Sequence, residues 1–218
     1  WGRIGSDKLG DFFLSDISDT GVDISTIHRV EGAKTGLSSV IVGGDGSRLI
    51  VPYYDSNLGN DTSWLPLKQL DGIDCVLADV RWPEGAAQIL NEAKNRGIIR
   101  IFDGDVATAE VLKTLAPLAT HSIFSEPGFC LYSGKEDVRK SLIENAVKFD
   151  GCMGVTLGAD GFIWVEDAVL RQIYPPQIIA KDTLAAWDVF HGAFAIAITE
   201  VMCIERASMF ACSSAAIN

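Results

Sequence analysis

The chain has 218 residues, 48% of them apolar, and a formal net charge of −11. That length serves one large core better than two small ones. The acidic balance excludes a nucleic-acid footprint or attraction to anionic lipid, which need basic patches, but not a nucleotide, whose phosphates a helix N-terminus can hold.

No apolar run approaches the roughly 20 residues that a bilayer-spanning helix needs. The cysteines Cys75, Cys130, Cys152, Cys203 and Cys212 follow no C-x-x-C spacing and sit mostly in apolar runs. They read as reduced, buried small hydrophobes of a cytoplasmic protein, and no signal-peptide pattern is expected. Trp1 to Asp11 carries no initiator methionine and no preceding strand. Phe12, Phe13, Leu14 and Ile17 then predict a helix from Asp11 to about Asp23, ended near Gly21. Thr35–Val42 and Arg48–Tyr54 flank Gly43-Gly44-Asp45-Gly46 and read as a hairpin, either a lid or an edge hairpin of the main sheet.

Beyond the hairpin, strands alternate with helices. Strands are expected at Cys75–Val80, Ile98–Phe102, His121–Ser125 and Met153–Leu157, and helices at Pro83–Asn95, Val106–Leu115 and Lys135–Phe149. Phe162–Glu166 and Val169–Tyr174 form a small hairpin, and helices run to Ile198 and from Glu205 to Ala216. Such repetition specifies a parallel sheet with helices on both faces. Ligands of such sheets lie at the carboxyl ends of the strands, which singles out Asp79, Arg81, Asp103, Asp105, Ser125, Glu126, Gly158 and Gly161. Arg81 either clamps an anionic substrate group with its planar fork or pairs with Asp79, Glu84 or Asp103. Asp103 and Asp105 read as turn and cap residues or, less simply, as a metal pair.

The segment Asp182-Thr183-Leu184-Ala185-Ala186-Trp187-Asp188-Val189-Phe190-His191-Gly192 opens the next helix. Thr183 is the expected N-cap, and the small residues after it let an anion approach the free N–H groups of the first turn. Asp188, one turn inside, is either a solvated carboxylate on a capped helix or a base that takes a proton from a hydroxyl attacking a bound phosphate. His191 lies on the same face as Asp188 and is left out of the chemistry.

This segment resembles the second signature of the PfkB/ribokinase family of carbohydrate kinases, D-T-x-[GA]-A-G-D-x-F-x-G, at Asp182, Thr183, Ala185, Ala186, Asp188, Phe190 and Gly192. The stretch Gly2 to Asp11 resembles the G-x-[IV]-G-x-D-x-x-G segment of the family's first signature, and Thr156 to Gly161 its T-x-G-x-x-G nucleotide turn. The resemblance implies an α/β, three-layer ribokinase-like fold with a mostly parallel sheet and a small β lid over about residues 24–55. It implies a single domain over 1–218 that lacks the family's first and last portions, among them the sugar-selecting loop and the elements closing the adenine pocket.

By the same resemblance the chain phosphorylates a hydroxyl of a sugar or sugar derivative with ATP and Mg2+, and a monovalent cation such as K+ assists. Asp188 is then the catalytic base, Ala185, Ala186 and Trp187 the anion hole, and Thr156, Gly158 and Gly161 the nucleotide contacts. Arg81 and Asp79 face the substrate, and Asp182 holds the monovalent cation. The family's N-x-x-E motif is replaced, with Ser125 for the Asn and Gly128 for the Glu, so Glu126 takes over at the magnesium. The implied partners are a small sugar and ATP, with no nucleic acid and no membrane, and a second copy bound through the lid as a homodimer. One departure stands out: Trp187 replaces a glycine, where its indole crowds the phosphate path and a glycine-only backbone angle would be strained. That departure, with the altered N-x-x-E, keeps a second reading open, a catalytically impaired relative that binds nucleotide or sugar. A nucleoside kinase is the alternative within the family.

Overall fold

In the computed structural model, which describes residues 1–43, 48–178 and 184–217, residue contacts gather the chain into two units, Trp1–Pro66 and Leu67–Asn218.

The first unit begins with a strand where the sequence reading had none. β1 (Gly2–Gly5) leads into helix α1 (Lys8–Asp19) and pairs in parallel with β2 (Ile27–Val30). The helix starts three residues before its expected position because Asp7 caps it, accepting from the Gly10 amide at 2.9 Å. Thr35 ties the same corner together. Its hydroxyl donates to Asp7 Oδ1 at 2.7 Å and accepts from the Gly5 amide at 3.1 Å, and its own amide donates to Asp7 Oδ2 at 3.1 Å. Gly5, Asp7 and Gly10, three of the fixed positions of the first-signature segment, therefore build one turn. β3 (Leu37–Val42) and β4 (Arg48–Tyr53) form the expected antiparallel hairpin as a separate two-stranded sheet; its turn, residues 44–47, lies outside the described residues.

In the second unit the chain runs β5 (Cys75–Ala78), α2 (Pro83–Asn95), β6 (Ile99–Gly104), α3 (Ala109–Leu115), β7 (His121–Ser125), α4 (Glu126–Ser133), α5 (Val138–Ala146) and β8 (Cys152–Thr156). It then passes through β9 (Phe162–Glu166), β10 (Val169–Ile173), α6 (Ala186–Thr199) and α7 (Ile204–Ile217). The strands form one sheet in the order β10-β9-β8-β7-β6-β5, with β5 to β8 parallel and β9 and β10 antiparallel. Asp167 and Ala168, both at positive φ, make the two-residue turn that joins the last two strands.

The period of two along each strand decides the layers. Phe102, Phe124, Val155 and Ile163 face a core with Leu112, Leu115, Phe129 and Leu142 from α3, α4 and α5. Their neighbours Ile101, Ile123, Phe162 and Trp164 face the opposite core, built with Phe190, Phe194, Ala197 and Ala211 of α6 and α7. The second unit is thus a three-layer α/β sandwich with a mostly parallel sheet, as the sequence pattern implies.

The expected long helix from Lys135 to Phe149 is shorter, Val138–Ala146, and α4 precedes it where no helix was expected. Pro127 and Gly128 look like breakers. Yet Pro fits the first turn of a helix, where its missing N–H has no partner to lose, Ser125 caps the start and Gly134 ends it in the left-handed region. Among the described residues no helix is long and apolar enough to cross a membrane.

Candidate active site

Trp187 Nε1 donates to Asp103 Oδ1 at 2.8 Å, which sets the first turn of α6 against the carboxyl end of β6. Around that end stand residues that follow the neighbouring parallel strands: Asp79 and Arg81 after β5, Asp105 after β6 and Ser125 at the end of β7. Most of the positions singled out at the strand ends are therefore gathered by the parallel sheet itself.

Asp105 links two of them. Its Oδ2 accepts from Arg81 Nη2 at 2.8 Å and its Oδ1 from the Ser125 hydroxyl at 3.2 Å. Arg81 thus pairs with none of the three acids expected to hold it by side chain. Asp79 accepts instead from the Arg81 amide, at 3.0 Å. Ser125 also accepts from the Gly128 amide at 3.0 Å, closing the start of α4. A side chain at position 128 has no room, because a Cβ there would stand 2.1 Å from the Gly104 carbonyl oxygen. That close approach gives a physical reason for the missing Glu of N-x-x-E. Glu126 is exposed in the first turn of α4, on an open cleft of about 300 Å³ that Asp137, Arg139, Leu157 and Asp160 also line.

The nucleotide-turn residues follow β8. Gly158 and Gly161 have φ of 57° and 84°, and a Cβ on Gly161 would stand 2.0 Å from the Ile173 carbonyl oxygen. Only glycine serves there. Thr156, the last residue of β8, pairs with Phe162 of β9.

α6 opens differently from α4. The cap position falls on Ala185, at φ 57° and ψ 0° and with no side-chain cap hydrogen bond. Thr183, the expected cap, and Asp182, the expected cation ligand, lie outside the described residues. The left-handed residue is thus Ala185, and Trp187 is not among the described residues at positive φ, so the glycine-only strain expected of the indole is absent. Its ring meets His191 edge-on at 4.5 Å between centroids. Asp188 is exposed in the helix's first turn.

Beneath Trp187, Asp103 and His191 meet, a contact that sequence reasoning did not foresee. Asp103, its side chain 13% exposed, has a pKa raised to about 7, first by burial and further by the charges of Asp105, Asp79 and Asp188, against the lowering effect of the Trp187 N–H. His191 is almost fully buried, and burial lowers its pKa to about 4. Its Nδ1 lies 3.0 Å from the Trp187 carbonyl oxygen, and the Ile123 carbonyl is a second backbone acceptor that, with Trp187, raises the pKa against the burial. Its Nε2 is buried without a hydrogen-bond partner, 3.9 Å from Asp103 Oδ1. The only available signal in the sequence was the i, i+4 spacing of Trp187 and His191.

Comparison with known proteins bears on the family and the fold. The pattern of the pfkB family carbohydrate kinases matches residues 1–218. A ribokinase of Haemophilus influenzae is 24% identical over 223 residues, covering 99% of this chain and 72% of that protein. A solved candidate ribokinase from Agrobacterium tumefaciens superposes with a TM-score of 0.94 at 40% identity, covering 99% of this chain and 72% of that one. An Arabidopsis thaliana ribokinase solved with ribose and ATP superposes with a TM-score of 0.80 at 21% identity, covering 99% and 73%.

Proposed function

Because this chain belongs to the pfkB family of carbohydrate kinases, we propose that it transfers the γ-phosphoryl group of ATP to a hydroxyl of a sugar or sugar derivative. The observation that carries the reading is the opening of α6. An exposed carboxylate, Asp188, stands in the first turn of a helix whose N-terminus has no side-chain cap and sits at the carboxyl edge of a parallel sheet. Asp188 accepts the proton of the attacking hydroxyl. The N–H groups of the first turn at Ala185, Ala186 and Trp187 stabilise the charge of the moving phosphoryl group. Thr156, Gly158 and Gly161 seat the nucleotide against bare backbone. ATP as donor is supported by the Arabidopsis ribokinase solved with ribose and ATP.

The donor set fits a magnesium ion that arrives with the nucleotide. Among the described residues no three His, Cys, Asp or Glu side chains gather to hold a metal, and magnesium is commonly held by one or two carboxylates and substrate phosphates. Glu126 is the carboxylate that would help hold it, and the ion would supply charge neutralisation for the transferred phosphoryl group. A monovalent cation is assigned to Asp182. Arg81 and Asp79 orient the sugar; the ion pair of Arg81 with Asp105 is half-exposed and weak enough to yield to an anionic sugar substituent. The hairpin β3–β4 exposes Ile41, Val42, Leu49, Ile50 and Val51, and a second copy of the chain is the partner assigned to it.

The test is a steady-state assay with ribose as the first of a sugar panel. Asp188→Asn is expected to lower kcat by about 10²–10⁴-fold with an unchanged unfolding midpoint. Full activity in that variant would refute the assignment. Trp187, standing where the family has glycine, favours a second reading in which the chain binds its ligands with impaired catalysis; a Trp187→Gly variant much faster than the parent would establish it.

A further inference from the structure

Five of the helices begin at a residue whose side chain or ring fixes the first turn: Asp7 at α1, Thr108 at α3, Ser125 at α4 and Asp137 at α5 each accept from the amide three residues on, and Pro83 opens α2. α6 has neither device, and its cap residue is the left-handed Ala185. Yet this is the turn that carries Asp188. Something else must hold it.

The hold comes from the sheet. Trp187 and His191, one turn apart on α6, both face the end of β6. The indole donates to Asp103 Oδ1 at 2.8 Å, the His191 Nδ1–H reaches back to the Trp187 carbonyl at 3.0 Å, and the His191 ring rests on the indole. One polar atom in this group is unsatisfied. His191 Nε2 makes no hydrogen bond and is buried 3.9 Å from the Asp103 carboxyl, with the Ile123 backbone also acting on the ring. An ionised Asp103 has no proton to offer it. A protonated Asp103 does, and a shift of roughly 1 Å brings the pair to hydrogen-bond length.

We propose that Asp103, in its protonated form, is a positioning residue for the reaction: its carboxyl accepts from the Trp187 indole, turns its proton to His191 Nε2, and so latches the first turn of α6 to the end of β6. The inference rests on the kinase reading for its consequence, the placing of Asp188, though not for its geometry. The charged groups that face Asp103 are Asp79 beyond β5, Asp105 beyond β6, and Asp188 on α6, with Arg81 neutralising Asp105 from the other side. Each of the three carboxylates disfavours ionisation of Asp103, in line with its pKa near 7. When Asp103 ionises, two acceptors confront each other across the latch and the turn loosens. Trp187 is part of the device, so the residue that replaces glycine is a tether and not an obstruction.

The experiment pairs spectroscopy with kinetics on the whole chain. Nitrogen-15 NMR follows the Trp187 indole, identified by its loss in Trp187→Phe, and the His191 imidazole from pH 5 to 9. Both signals are expected to move with one shared midpoint near neutrality in the parent, and to stay still in Asp103→Asn, whose amide oxygen accepts from the indole at every pH. In the assay, Asp103→Leu is expected to lose about 100-fold in kcat with little change in KM, while Asp103→Asn recovers most of that loss and lacks the parent's decline above neutral pH. Signals that do not titrate in the parent, or Asn and Leu variants that lose kcat alike while remaining folded by circular dichroism, would overturn the proposal. A parent that titrates as expected but phosphorylates no sugar supports the latch and counts against the kinase reading alone.

Discussion

Helices α4 and α6 both begin at the carboxyl edge of the same sheet, and they begin in opposite ways. The start of α4 is closed. Ser125 caps it, Asp105 holds the serine, and Gly128 lies so tightly on the Gly104 carbonyl that no side chain fits. The start of α6 is open, with a left-handed alanine at the cap, an exposed carboxylate in the first turn, and a tether that comes from a buried acid and an indole. A closed helix end satisfies its amides within the fold and adds stability. An open one leaves amides for a ligand and needs positioning from elsewhere, which is the arrangement expected where phosphoryl transfer takes place.

The contrast breaks most sharply at the two glycines. Gly128→Ala is expected to lower stability by about 3 kcal/mol, since the added Cβ meets backbone. Gly192→Ala in α6, where a Cβ would meet nothing within 4 Å, is the control: the same change is expected to raise stability by about 0.5–1 kcal/mol through helix propensity. Urea unfolding of both variants measures the difference, and equal signs would remove the distinction.

A second effect tests the acid under α6. The carboxyl of Asp103 titrates at about 7 in the folded chain against an ordinary 3.8, because of burial and its three acidic neighbours. Between about pH 4 and 7 the folded state therefore holds at Asp103 a proton that the unfolded chain has released, so the stability this carboxyl contributes falls as pH rises through that window and levels off above it. Asp103→Asn lacks this slope and is expected to gain about 4 kcal/mol on the parent between pH 4 and pH 8. Parallel stability curves in urea at the two pH values would contradict it. Smaller is Ser125→Ala, which removes the α4 cap and is expected to cost about 1 kcal/mol in the same assay at any pH from 5 to 8, with no slope of its own.

The sequence by itself determined the layers. Alternating strand and helix periods with apolar strand centres leave a parallel sheet between two helical layers as the arrangement that buries them, and the period of two sends Ile101 and Phe102, or Ile123 and Phe124, to opposite cores. The Asp7 cap went unread although Asp7 and Gly10 lie three residues apart, and the helix it opens was expected only from Asp11. Two elements escaped for reasons just as local. β1 is four residues long, and α4 begins with Pro and Gly, whose usual role as breakers hid their fitness for a tight first turn. Only the tertiary structure decided how the candidate site is held. Asp103 and Trp187 are 84 residues apart, Arg81 and Asp105 24, and no periodicity links positions that meet because neighbouring parallel strands end side by side. Asp103 read as a turn residue and His191 as a bystander, because burial, which shifts both their pKa values and leaves Nε2 without a partner, exists only once the sheet and α6 have closed over them.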